Sequence, residues 1–137
     1  MTSPLADDQA VMIIPSDGDP SDDVVRAWVT AVLIGVPLVP RLAAVLVVAE
    51  LVSNARRHGR LPCVLRLSLD DTRRYLLVFA EDSGTDDGGV WSARSGLVLV
   101  DGLTSGWAVQ RRPLGKTVCA EIALGARIPG LRIPPSP

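Results

Sequence analysis

Glu50-Leu-Val-Ser-Asn54-Ala-Arg-Arg-His58-Gly59 sets a polar series inside a stretch that otherwise reads as an apolar helix. Glu50, Asn54 and His58 stand four residues apart, so they project from one helical face. A carboxylate and a carboxamide on the core-side stripe of a helix cost free energy unless something satisfies them. A metal-bound nucleotide phosphate would satisfy both. Upstream, the helix begins near Pro40, with Leu42, Val45, Leu46, Ala49 and Val52 as its expected buried face. Gly59 is well placed as its left-handed stop.

Working outward, Val11-Met-Ile-Ile14 is a short apolar run ended by Pro15, the pattern of an edge strand. Ser21-Asp22-Asp23 opens another helix with a capping side chain and acids in its first turn. Val24, Val25, Trp28, Val32 and Leu33 form its apolar stripe, and Gly35 and Pro37 end it. Beyond the quoted stretch, Cys63 to Asp70 alternates from Val64 on. Arg74 to Ala80 is near-continuous in apolar character, as a central strand would be, and Asp70-Asp71 joins the two as a hairpin. Ser95 to Leu103 reads as a short helix after an acidic, glycine-rich loop. Gly106 to Arg111 and Lys116 to Leu124 form a last hairpin around Pro113-Leu114-Gly115. The order β-α-α-β-β-α-β-β predicts an α/β two-layer sandwich: a mixed, mostly antiparallel sheet covered on one face by helices. Residues 1–9 are expected to be flexible, 10–124 to form the domain, and 125–137 to be a proline-rich tail.

Composition narrows the function classes. The chain has 137 residues, 47% of them hydrophobic and 21% charged, enough for one domain with a packed core. A net charge of −1 speaks against a sequence-independent nucleic-acid binder. Thirteen of the fourteen cationic residues are Arg and Lys116 is the one Lys, so any single Arg carries little weight. The longest apolar stretch, Leu42 to Ala49, falls far short of the roughly 20 residues that span a bilayer. With an acidic, polar N-terminus, a cytoplasmic protein with no membrane segment is expected. Cys63 and Cys119 lack metal-ligand spacing and read as reduced, half-buried thiols.

Four patches carry chemistry: Glu50-x-x-x-Asn54-x-x-x-His58-Gly59 on a helix, Asp82-x-Gly84 at the end of a central strand, Ser95-Gly96-Leu97-x-Leu99-Val100-Asp101 opening a short helix, and Gly115-Lys116-Thr117-Val118-x-Ala120-Glu121 entering the last strand. In this order they resemble the ATP-binding domain shared by sensor histidine kinases, type II topoisomerases, heat-shock chaperone ATPases and mismatch-repair ATPases. Within that superfamily the chain is most similar to the small stand-alone anti-sigma-factor serine/threonine kinases of bacteria and their regulatory relatives.

The resemblance implies roles for particular residues. Asn54 would be the protein ligand of Mg²⁺, a hard cation that otherwise keeps waters and substrate phosphates. Glu50 would be the base that takes a proton from an attacking hydroxyl. Asp82 would accept the exocyclic amino hydrogen bond of adenine, with Gly84 letting the backbone pass close to the base. Thr117 would either complete the adenine contacts or serve the strand by β-propensity alone. His58 would sit near the phosphates or complement the helix dipole. Gly96, with Leu97 after it, would meet the phosphates with backbone amides. Arg94 stands where the family pattern carries glycine, and either contacts phosphate or faces solvent. Lys116 reads as a solvated hairpin lysine. The implied cofactors are ATP and Mg²⁺. The implied partner is an anti-anti-sigma factor, a sigma factor or both, and relatives of this size form homodimers. A second reading is a non-catalytic regulatory module of the same fold, with weak or no ATP turnover, suggested by Arg94 and a short lid loop.

Overall fold

Alternating burial decides the sheet. The computed structural model describes residues 9–17, 20–57, 61–83 and 98–125, and the lid loop, the residues around it, the N-terminus and the tail lie outside these. Its strands are β1 (Ala10–Ile14), β2 (Cys63–Leu69), β3 (Tyr75–Asp82), β4 (Gly106–Arg112) and β5 (Gly115–Ala123). They form one sheet in the order β1-β2-β3-β5-β4. Every pairing is antiparallel, which corrects the expectation of a mixed sheet. β1 lies at an edge and β3 in the centre, as their apolar patterns predicted.

The helices are α1 (Asp22–Val32), α2 (Leu38–Arg57) and the short α3 (Val98–Leu103). Ser21 caps α1 through its side-chain oxygen, which accepts from the Val24 N–H at 3.4 Å. Val25, Val29 and Leu33 are its buried stripe, whereas Val24 is exposed. Gly35, at φ 93, takes the left-handed turn between α1 and α2.

α2 packs against α1, α3 and strands β2, β3 and β5, so it is the hub of the helical layer. Its buried face is not the expected one. Leu42 and Leu46 are 52% and 48% exposed, Val45 and Ala49 are half-buried, and of the five expected positions only Val52 is fully buried. The buried positions are instead Pro40, Ala43, Ala44, Val47, Val48, Leu51, Val52, Asn54 and Ala55. Apolar residues surround the first part of this helix, so periodicity could not choose a face, and the small side chains allow the closer seat on the sheet. By length and composition α2 is apolar enough to cross a membrane; in this fold half of that span is buried within the domain.

The helix side of the sheet is organised in rows that run across the strands. Ala10, Leu67, Val78, Ala120 and Trp107 form one row, and Met12, Leu65, Ala80, Val118 and Val109 the next. These apolar rows and the α2 face make the core. The following row, Ile14, Cys63, Asp82, Lys116 and Arg111, ends the sheet and is no longer apolar.

The hairpins are closed by specific chemistry. Asp70 Oδ1 accepts the Arg74 and Tyr75 N–H groups, both at 2.9 Å, and its Oδ2 accepts the Thr72 hydroxyl. The Thr72 hydrogen bond, then the backbone donors, hold the Asp70 carboxyl below its ordinary range. The β4–β5 hairpin turns on Pro113 and Leu114, pairing Arg112 with Gly115. Gly115 has φ +146, and a Cβ there would stand 2.1 Å from the Asp82 carbonyl oxygen. Only glycine lets β5 enter this close to the end of β3. Gly115→Ala is therefore expected to lower stability by about 2 kcal/mol or more, read as a shift in the urea unfolding midpoint at unchanged m-value.

Candidate functional site

Glu50 and Asn54 lie in the C-terminal half of α2, and Cys63, Asp82 and Lys116 stand in the terminal row of the sheet. Both the Arg56 guanidinium, on the last turn of α2, and the Asp82 carboxylate act on the Cys63 thiol. Arg56 is itself anchored, donating to the Pro20 carbonyl and pairing with Asp22 at 3.5 Å. Arg56 thus links the last turn of α2 to the start of α1 and acts on Cys63 in the sheet.

On α2, Asn54 is 1% exposed and Glu50 is half-buried. Glu50 Oε2 and Asn54 Nδ2 are buried atoms with no hydrogen-bond partner in the structure. These two atoms, one helical turn apart, are hydrogen-bonding capacity that the chain itself leaves unused. Asn54 Oδ1, the atom a metal would need, accepts a hydrogen bond from Arg57 Nη2. In this rotamer Asn54 offers the site a donor, which suits a phosphate oxygen. Presenting Oδ1 to a cation takes an amide turn and the release of Arg57.

On the sheet, Asp82 is 5% exposed and Lys116 1% exposed, and they pair at 3.6 Å between Oδ2 and Nζ. The Lys116 backbone N–H also donates to Asp82 Oδ1 at 3.2 Å, and Arg112 Nη2 donates to the Asp82 carbonyl at 3.2 Å. Asp82 is where the sequence placed it, at the end of the central strand. Lys116 is not a solvated hairpin lysine. It shares the parity of Val118, Ala120 and Ile122, so its side chain enters the helix side of the sheet.

The same parity moves Thr117 away. Thr117 pairs with Glu81 and belongs to the opposite, helix-free face, so the structure does not bring it to Asp82. That face carries its own ion network, with Glu81 between Arg66 at 3.4 Å and Arg112 at 3.3 Å. Of the remaining expected site residues, His58, Gly84, Arg94, Gly96 and Leu97 lie outside the described residues. In the patch around α3, Asp101 accepts the Trp107 indole N–H at 3.0 Å, and the buried Thr104 hydroxyl donates to the Val100 carbonyl at 2.8 Å. Both are structural ties.

Sequence reasoning missed Arg57 and the true position of Lys116. For Arg57 the signal was its spacing of three from Asn54, which allows a side-chain contact on the helix surface. For Lys116 it was strand parity, masked by the residue type. Among the described residues no group of three or more His, Cys, Asp or Glu is placed to hold a metal. A cation held by one carboxamide and by phosphates does not require such a group. Among the described residues, hollows of about 480 and 240 Å³ lie elsewhere, one beside Arg73 to Tyr75 and the other on the helix-free face between Leu77 and Ala108.

Fold and site together define a two-layer α/β domain with a buried polar wall at one end of an antiparallel sheet. The chain matches no protein-family model and no curated protein sequence.

Cys63 and Cys119 are free thiols. Burial, then the Asp82 and Glu81 carboxylates, push the Cys63 thiol up to about 12 from 9.0. The folded protein keeps a proton that the unfolded chain gives up, so this contribution is complete below about pH 9 and is lost as pH rises toward 12. Cys63→Ala should flatten the fall of stability across that window, measured by urea unfolding at stepped pH. Asn54→Leu removes the orphaned donor at similar volume and should leave stability within about 1 kcal/mol of the wild type, or raise it. A carboxamide kept there for folding would instead show a clear loss in the same assay.

Proposed function

We propose that this chain is a histidine kinase-like ATPase domain that binds ATP-Mg²⁺ between α2 and the Asp82 end of the sheet. It acts as an anti-sigma-factor-like serine/threonine kinase on an anti-anti-sigma partner. The observation that carries this reading is the pair of buried, unpartnered atoms, Glu50 Oε2 and Asn54 Nδ2, at the positions the sequence resemblance assigns to catalysis and metal binding. The antiparallel sheet, the helical layer on one face and Asp82 at the end of the central strand are consistent with it.

Asn54 would hold Mg²⁺ through Oδ1 once Arg57 lets go, and Asp82 would take the exocyclic amine of adenine. The metal supplies neutralisation of phosphate charge. Glu50 would accept the proton of the partner's serine or threonine hydroxyl as that oxygen bonds to the terminal phosphorus of ATP and the bond from that phosphorus to the bridging oxygen breaks, so that ADP leaves. Its buried, unpaired oxygen has no competing donor to displace.

The second reading, a regulatory module that binds a protein and turns ATP over weakly or not at all, is favoured by a specific observation. Both acceptors that the resemblance assigns to ligands are engaged by cations of the chain itself, Asn54 by Arg57 and Asp82 by Lys116.

Transfer of ³²P from ATP to an anti-anti-sigma protein tests the choice. Glu50→Ala should lower the rate by about 10²–10⁴-fold, the usual contribution of a positioned base. Transfer that continues undiminished in Asn54→Ala rules out the mechanism. Absence of ATP-Mg²⁺ binding at millimolar concentration, by calorimetry, rules out both the kinase and the nucleotide site.

A further inference from the structure

Lys116 is the one lysine of the chain, and it is the most deeply buried charged group in the domain's described part. Its backbone N–H donates to Oδ1 of Asp82 at 3.2 Å, and its ammonium forms an ion pair with Oδ2 of the same carboxylate at 3.6 Å. On α2, Arg57 donates a hydrogen bond to Asn54 Oδ1. Arg57 is exposed and withdraws into water at little cost, but Lys116 has no such freedom.

We propose that Lys116 is a latch on the nucleotide site. Its ammonium holds the carboxylate oxygen that a purine amine would use, and base binding exchanges one for the other. The inference rests on the nucleotide reading given above. The exchange is uphill on its own. It trades a charged donor on a buried carboxylate for a neutral amine, and the carboxylate then lies buried with weaker compensation. Gly115 keeps the latch short, because its missing Cβ lets the Lys116 backbone sit directly against Asp82. The wild-type site is therefore selective for ligands that bring more than a base. Phosphates and their metal must contribute the free energy that moves Lys116. Nucleosides without them bind poorly.

Adenosine and ATP-Mg²⁺ binding to the wild type and to Lys116→Met, by calorimetry, test the latch. Lys116→Met removes the ammonium and keeps the backbone N–H on Asp82. It should bind adenosine about tenfold more tightly than the wild type, or better. Equal or weaker adenosine binding by a Lys116→Met protein with native circular dichroism overturns the latch and leaves the nucleotide reading standing, provided the wild type binds ATP-Mg²⁺. Failure of both proteins to bind ATP-Mg²⁺ retires the nucleotide reading and the latch with it. If Lys116→Met does not fold, the wild type carries the test alone. Amine-selective acetylation followed by mass spectrometry reports only Lys116 and the N-terminal amine. Lys116 should be protected without ligand and should react about tenfold faster or more at saturating ATP-Mg²⁺. A rate that ligand does not change overturns the latch.

Discussion

The close seat of α2 on the sheet is the constraint from which the rest of the molecule follows. Ala43, Ala44, Val47 and Val48 are buried along the first part of α2, and Leu51, Val52 and Ala55 continue that buried face toward its far end. Each fully buried valine or leucine contributes about 1.5–3 kcal/mol relative to exposure, so this one face outweighs any polar interaction in the domain. Once that face is fixed, the position of Asn54 is fixed with it. Asn54 lies on the same buried side, three residues beyond Leu51.

The sheet imposes a matching rule. Antiparallel register places Cys63, Asp82 and Lys116 side by side, and burial places all three under the helices. A thiol, a carboxylate and an ammonium in one dry row would be costly separately. Together they are mutually compensated: the ammonium offsets the carboxylate, and the thiol stays protonated beside it. The apolar rows behind carry the stability and leave this terminal row open to chemical specialisation. The same division explains why polar groups on the helix-free face, such as the Glu81 network with Arg66 and Arg112, are arranged as exchangeable surface pairs.

The elements were largely legible from the residues because their signals were local. Ser21 with its following acids, Gly35, Asp70 and the Pro113–Gly115 turn each act within a few positions, and the structure uses them all as boundaries. The central place of β3 followed from its unbroken apolar run. The face of α2 was not legible, because a helix apolar on most sides leaves tertiary packing to choose the orientation; Leu42 and Leu46 lost to smaller neighbours. At the site, Glu50, Asn54 and Asp82 were recognisable as polar residues where apolar ones were due. Lys116 was hidden because lysine is ordinarily a surface residue, and only its phase with Val118, Ala120 and Ile122 betrays it. Thr117 stands on the opposite phase, paired with Glu81, which leaves its strand-forming side chain as the part of its reading that the register accommodates.

The strand order has a consequence for how the ionic row is assembled. β2 with β3, and β4 with β5, are hairpins whose closure spans only short loops. The β3–β5 seam joins two such units across the segment that contains α3, and β1 meets β2 only with both helices intervening. Loop-closure entropy grows with the length enclosed, so these two seams are the non-local strand pairings of the described sheet. Asp82 and Lys116 face each other across the first of them. Their pairing is therefore a report on whether the two halves of the sheet have docked, and any sub-global opening along that seam exposes the buried lysine and the carboxylate in a single cooperative step.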